Sequence, residues 1–227
     1  MADRAVDDAL AASFLGRLPP DLVTRLRAEG ERADFPAGTV VYRPGSDPSA
    51  AVVVEGLMRV FMTSLGGRQL TVRYARPADV LGIAVLVGGP VDVGVQALAP
   101  SSVFRISART LLAAAHRDPR VGWAIAEELN RRLFENLQQT AASAFGSVKQ
   151  RLAAHLLDIA SAQQQPGDRL AARVSQQELA DAVGSVREVV ARVLRDLRTA
   201  GIVSTASDRV LILDAARLHD ESGDAGV

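Results

Sequence analysis

The 227-residue sequence predicts an α+β fold in three parts: an N-terminal antiparallel β-barrel or jelly roll, a long dimerisation helix, and a C-terminal winged helix-turn-helix. Three observations carry the prediction. Short β-rich runs bounded by Gly, Pro, Ser or Asp fill residues 35–106. After Ser107 the apolar period lengthens from two to about three and a half. Residues 174–198 then hold two helix starts on either side of a glycine. The corresponding domains are 1–120, 121–145 and 146–227.

Met1 to Leu18 carries Asp3, Asp7 and Asp8 among its alanines. It lacks the basic start and unbroken apolar stretch of a signal peptide and reads as mature sequence. Pro19-Pro20-Asp21 precedes a short helix in which Leu22, Leu26 and Val23 share a face. Strands follow at Thr39 to Tyr42, Ala51 to Val54, Leu57 to Thr63, Gln69 to Tyr74, Val93 to Leu98 and Ser102 to Ile106, a spacing that suits a small antiparallel barrel or jelly roll. Gly38, Gly45, Gly56, Gly66, Gly67 and Gly82 stand at the junctions, where they read first as turn residues. Val80 to Leu98 is too interrupted, by Gly88-Gly89-Pro90 and Asp92, to span a membrane. A soluble, cytoplasmic protein with no membrane partner is expected.

Ala126, Leu129, Leu133, Leu137, Thr140 and Ala144 form an apolar and small-residue stripe on a helix near Val121 to Ala144. Packing on its own barrel is one use for the stripe; a two-fold seam with a second copy is the other, suited by the helix's length and small residues. Phe145-Gly146-Ser147 breaks the pattern, and Val148 to Ala162 resumes as a separate helix.

Beyond the polar loop 163–169, Ser175 with Glu178 and Ser185 with Glu188 both spell Ser-x-x-Glu capping boxes, with Gly184 between them to end the first helix. Two short helices joined through a glycine turn are the helix-turn-helix pattern, its second helix the reader; a plain helical hairpin in a core is the alternative. Gly201 stops the second helix, and Ile202 to Ser204 with Val210 to Leu213 read as a β-hairpin wing. The reader segment holds Arg187, Arg192, Arg195 and Arg198 against Glu188 and Asp196, a basic patch on a chain of otherwise balanced charge.

That balance, 26 Lys plus Arg against 26 Asp plus Glu, leaves no global field to attract a polyanion. The absence of Cys removes thiolate nucleophiles, Cys-ligated zinc and Cys-ligated iron-sulfur clusters. His116, His155 and His219 lie too far apart in sequence for a local metal motif. No metal, no cofactor and no enzymatic activity are expected.

The chain resembles the CRP/FNR family of bacterial transcription regulators over nearly its whole length. The resemblance is carried by Gly38, Gly45, Gly56 and Gly82, by Ser175-Gln-Gln-Glu-Leu-Ala, and by Val183-Gly-Ser-Val-Arg-Glu-Val-Val-Ala-Arg. It implies a homodimer on double-stranded DNA with a two-fold symmetric site, and RNA polymerase as a further partner where the regulator activates. Arg187, Glu188 and Arg192 fall on the family's base-reading positions, and the half-site implied resembles GTGA. Their chemistry agrees: arginine presents a fork to guanine, and glutamate accepts from cytosine N4. Helix capping for Glu188 and a phosphate contact for Arg192 remain the alternatives. Ser175, Gln176, Arg195, Arg198 and Arg209 are expected on the DNA backbone, whereas Val186 cannot donate to a phosphate where the family often has a hydroxyl.

The effector pocket departs from the family. Where its cyclic-AMP-binding members have Gly-Glu for the ribose and Arg-Ser for the cyclic phosphate, alignment gives Gly82-Ile83 and Val91-Asp92. Asp92 would set an anion beside an anion, a repulsion of about 4 kcal/mol at ~4 Å and an effective dielectric near 20. Ile83, Val85, Leu86, Val87 and Val91 make the implied lining apolar, fit either for a hydrophobic effector or for a cavity closed by its own side chains. Two other functions compete with DNA binding. A cupin-like metalloenzyme lacks its ligands, since no histidine lies between Phe35 and Ile106. An effector-sensing protein whose helix-turn-helix contacts another protein is the second.

Overall fold

The computed structural model describes residues 2–43, 49–63, 69–88, 92–206 and 209–223, and no side chains at 2–3 or 139–145. Gly45, Gly66, Gly67 and Val91, with the side chains of Thr140 and Ala144, lie outside the described residues. The chain divides into two compact units, residues 1–36 with 40–134 and residues 37–39 with 135–227.

The first unit begins with α1 (Ala2–Ala12), a 3-10 turn (Phe14–Arg17) and α2 (Pro20–Glu29). The first of these was not foreseen as a helix; it buries Val6, Ala9 and Leu10, spaced to share one face. Pro20 opens α2, where a missing N–H costs nothing. Eight strands follow: β1 (Glu31–Phe35), β2 (Val40–Tyr42), β3 (Ala50–Glu55), β4 (Met58–Thr63), β5 (Gln69–Ala75), β6 (Val80–Leu81), β7 (Val93–Ala97) and β8 (Ser101–Ile106). They form two antiparallel four-stranded sheets, ordered β1-β8-β3-β6 and β2-β7-β4-β5. The outcome is a jelly-roll-like sandwich rather than a closed barrel. Alternation along β3 shows how the layers are built: Val53 joins Met58, Val60, Val95, Ala97 and Val103 between the sheets, while Val52 and Val54 face the other way, into a core shared with Leu10, Leu15, Leu26 and Leu111 from the helices.

Between β6 and β7 stands α3 (Ile83–Gly88). Gly82 before it has φ +84°, and a Cβ there would lie 1.9 Å from the Ser49 carbonyl oxygen, so this junction tolerates no side chain. After β8 come α4 (Ala108–Arg117), capped by the Ser107 hydroxyl, and α5 (Pro119–Phe145). One face of α5 packs into the helix-covered core through Val121, Ala124 and Ile125.

The second unit contains α6 (Val148–Gln163), β9 (Ala171–Ala172), α7 (Gln176–Ala182), α8 (Arg187–Thr199), β10 (Val203–Thr205), β11 (Val210–Ile212) and α9 (Ala215–Glu221). Ser147 and Gln150 close a capping box on α6, which buries Leu152, Leu156 and Leu157. The wing hairpin β10-β11 gains β9 as a third strand.

Candidate nucleic-acid interface

Two helices and a turn set the interface. At α7, Ser175 Oγ accepts from the Glu178 N–H at 3.2 Å while the Ser175 N–H donates to Glu178 Oε2 at 2.8 Å. The expected box is therefore formed, and the backbone bond from Ser175 holds the Glu178 carboxyl below its usual range. Gly184, at φ +61°, then turns the chain, and the Ser185 N–H closes the helix end on the Ala180 carbonyl. Arg151 of α6 pins the same corner, donating to the Val183 carbonyl through Nε at 3.1 Å and Nη2 at 3.0 Å.

The second expected box does not form. Helix α8 starts at Arg187 with Val186 as N-cap and no side-chain cap. Ser185 is spent on terminating α7, one residue too early to cap α8. Glu188 is thereby released from capping.

Val190, Val193, Leu194 and Leu197 of α8 are buried. Arg187, Glu188, Arg192, Arg195 and Arg198 are all exposed; Glu188, Arg192 and Arg195, four and three residues apart, share one face, and Arg187 and Arg198 stand at its border with the buried side. Among the described residues no ion pair engages Arg187, Glu188 or Arg192. Arg198 Nη1 donates to Thr205 Oγ1 of the wing at 3.4 Å, and Arg209 is exposed beside the wing turn. Ser175 accepts as a cap and keeps its hydroxyl hydrogen for an outside acceptor; Gln176 beside it is half-exposed. The structure thus brings an arginine-rich helix face, a helix N-terminus and a wing edge into one unit.

The described residues of the segment expected to line an effector pocket divide between the core and solvent. Ile83 is 2% exposed and belongs to the core that includes Val6, Leu10 and Phe14; Val85 is buried, and Leu86 packs against the same core. Val87 is 57% exposed, so it does not line a pocket, and Asp92 faces solvent. No group of three or more His, Cys, Asp or Glu suited to a metal occurs among the described residues.

Just before Gly82 lies a charged cluster that the sequence did not reveal. Glu128 of α5, 3% exposed, receives Arg131 Nε and Nη2 at 2.9 and 2.8 Å and Arg132 Nε at 2.7 Å. Arg132 Nη2 also donates to the Val80 carbonyl. Asp79 accepts from the Arg76 N–H at 2.8 Å and lies 3.6 Å from Arg131 Nη2 and 3.8 Å from Arg73 Nη1. Burial alone would raise the Glu128 pKa, but the hydrogen bonds and charges of Arg131 and Arg132 hold it below the ordinary carboxylate range.

On α5, Ala126 is exposed, Leu129 half-buried against its own core, and Leu133 and Leu137 are 56% and 55% exposed. Trp123 and Phe134, 69% and 56% exposed, belong to the same solvent-facing side and were not foreseen. Trp123, Ala126, Asn130, Leu133 and Leu137 alternate steps of three and four, the spacing of a coiled-coil seam.

Residues 32–118 match the family profile of the cyclic nucleotide-binding domain, and residues 150–221 that of the Crp-like helix-turn-helix domain. The transcriptional regulator LdrP of Thermus thermophilus is 34% identical over 174 residues, covering 75% of this chain and 86% of its own. The cyclic AMP receptor protein of the same organism is 27% identical over 205 residues, 89% of this chain and 93% of its own. A crystal structure of a regulator from Eubacterium rectale superposes with a TM-score of 0.59 at 19% identity, over 92% of this chain and 96% of that one.

Proposed function

The chain belongs to the CRP/FNR family of transcription regulators, which are not enzymes, and from that premise we propose that it acts in the cytoplasm as a homodimer on two-fold symmetric duplex DNA, without control by cyclic AMP. The observation that carries the DNA reading is the first two turns of α8, where Arg187, Glu188 and Arg192 are exposed together. Residues at this end of a reader helix meet base edges in the major groove. Arginine suits guanine O6 and N7, glutamate suits cytosine N4, and the half-site proposed is GTGA-like, with its inverted copy roughly 10 base pairs away. Arg195, Arg198 and Arg209, with Ser175 and Gln176, supply the backbone contacts. Transcription activation by such a dimer requires contact with RNA polymerase, its further partner.

Selection of bound sites from random DNA, at stated salt because phosphate contacts dominate affinity, tests the reading. Recovery of an inverted repeat supports it; no enrichment moves the helix-turn-helix to the role of a protein contact. Within the recovered site, Arg187→Ala should cost about 1–3 kcal/mol and relax preference at one G·C pair. Arg195→Ala or Arg198→Ala should weaken all sequences alike and reduce the salt slope. Equal loss at every base for Arg187→Ala would make it a phosphate ligand.

The dimer reading rests on the exposed stripe Ala126, Leu133 and Leu137, now extended by Trp123 and Phe134, with Leu129 at its edge. Independence from cyclic AMP is supported by Ile83, which occupies the core where a ribose-binding carboxylate would be needed, and by Asp92. Calorimetric titration with cyclic AMP to about 1 mM, the weak end of specific affinity, should give no saturable heat and no change in DNA affinity. Micromolar binding would overturn this part of the reading.

A further inference from the structure

We propose that Val186, the N-cap of the reader helix, is a specificity contact to the C5 methyl group of a thymine beside the base pair that Arg187 reads. The proposal rests on the DNA-binding reading above and adds a base position that hydrogen bonding does not account for.

Val186 has φ −108° and ψ 153°, the extended backbone in which Ser, Thr, Asp or Asn would accept a hydrogen bond from the first helical turn. Valine makes none. Its side chain is not drawn into the core either, since the residue is 58% exposed while Val190, one turn on, is fully buried. At a single position the chain forgoes a helix cap and presents a branched apolar group to solvent. Neither helix stability nor core packing explains the choice.

The neighbours supply an explanation. Arg187 and Glu188 follow directly and are exposed, so the isopropyl group stands at the edge of the face assigned to base reading. In the major groove only thymine offers a methyl group, and apolar side chains contact it. Arg187 takes the polar edge of its base pair, and Val186, one residue closer to the turn, is placed for the adjoining pair. Withdrawing one such methyl group from water strengthens binding about fourfold.

The test uses the full-length protein and the site recovered by selection. Each thymine of one half-site is replaced in turn by deoxyuridine, which deletes the methyl group and keeps every hydrogen bond. The wild-type protein should lose about fourfold in affinity at one thymine adjoining the G·C pair mapped with Arg187→Ala. Val186→Ser should bind the thymine and uracil forms equally, and its thermal midpoint should rise because serine restores the cap. Opposite signs in stability and methyl discrimination separate a lost contact from a damaged helix. If the fourfold loss persists in Val186→Ser, another residue reads the methyl and the proposal is wrong. It is equally overturned, with the DNA-binding reading intact, if no thymine adjoins that pair or none is sensitive. A selection that recovers no sequence at all removes the DNA-binding reading itself.

Discussion

Leu133→Asp, or Leu137→Asp, should convert a dimer into a monomer and bring DNA affinity down to the level of non-specific binding, a loss of about a thousandfold or more. Both side chains are more than half exposed, and Trp123 and Phe134 beside them are exposed as well. Scattered apolar residues on a surface need no explanation, but several on one helix face mark an interaction site. A second copy fits because the spacing is that of a coiled-coil seam and because Asn130, among the apolar positions, can fix register. A two-fold interface takes the same patch from both copies, so one substitution brings two carboxylates into the seam. The DNA effect follows from the proposed arrangement, in which each subunit reads one half-site. Circular dichroism should be unchanged, since neither leucine supports its own core. Sedimentation equilibrium distinguishes the outcomes, and a charged variant that remains dimeric places the seam elsewhere.

Six strands of the jelly roll and the two of the wing hairpin were legible because turn residues punctuate β-rich runs there. β1, Glu-Arg-Ala-Asp-Phe, was not: it carries three charges in five residues, and its pairing with β8, including the Glu31–Arg105 ion pair at 3.1 Å, is visible only once the chain has folded. The two-residue β6 and β9 are too short to show a period. In the second unit the Ser175 box formed as read, whereas the identical spelling at Ser185 failed. The reason is competition between neighbouring helix ends: the Ser185 N–H is taken by the Ala180 carbonyl as α7 terminates, and the start of α8 shifts by one residue. A four-letter motif cannot say which of two competing helix ends will own it.

The exposure of Arg187, Glu188 and Arg192 on α8 was legible because the apolar face of that helix is already supplied by Val190, Val193, Leu194 and Leu197. The helix side of α5 was less so. An apolar stripe counted from Ala126 picks up Leu129, yet Leu129 turns toward the core, and Trp123, Leu133, Phe134 and Leu137 remain in solvent. Which apolar residues of an amphipathic helix the protomer keeps depends on where the jelly roll lies, and this is long-range information. The same holds for Glu128, which in sequence is one more charge on a charged helix face.

Glu128→Ala should destabilise the first unit by about 3 kcal/mol, the lower end for breaking a buried ion pair, because Arg131 is only half withdrawn from water. Arg132, 13% exposed, would then keep its charge with the carboxylate removed, close to Arg131 and Arg73. The cluster also ties α5 to the β5–β6 turn through Asp79 and the Val80 carbonyl, next to Gly82. Loss of Glu128 should therefore loosen α5 where it leaves the jelly roll, seen as faster amide exchange around Val80 and Glu128. Acid has the same effect by another route. The carboxyl has a lower pKa in the folded protein than in the unfolded chain, so its contribution is complete above the ordinary glutamate value and fades as pH falls through the folded value. Glu128→Gln, which preserves shape and hydrogen-bonding oxygen but not charge, should be less stable than wild type at pH 7 and show a flatter decline of stability below about pH 4.5. Urea unfolding at both pH values checks the sign. Equal pH dependence in the wild type and in Glu128→Gln would mean that the clamp is not held by the ionised carboxylate.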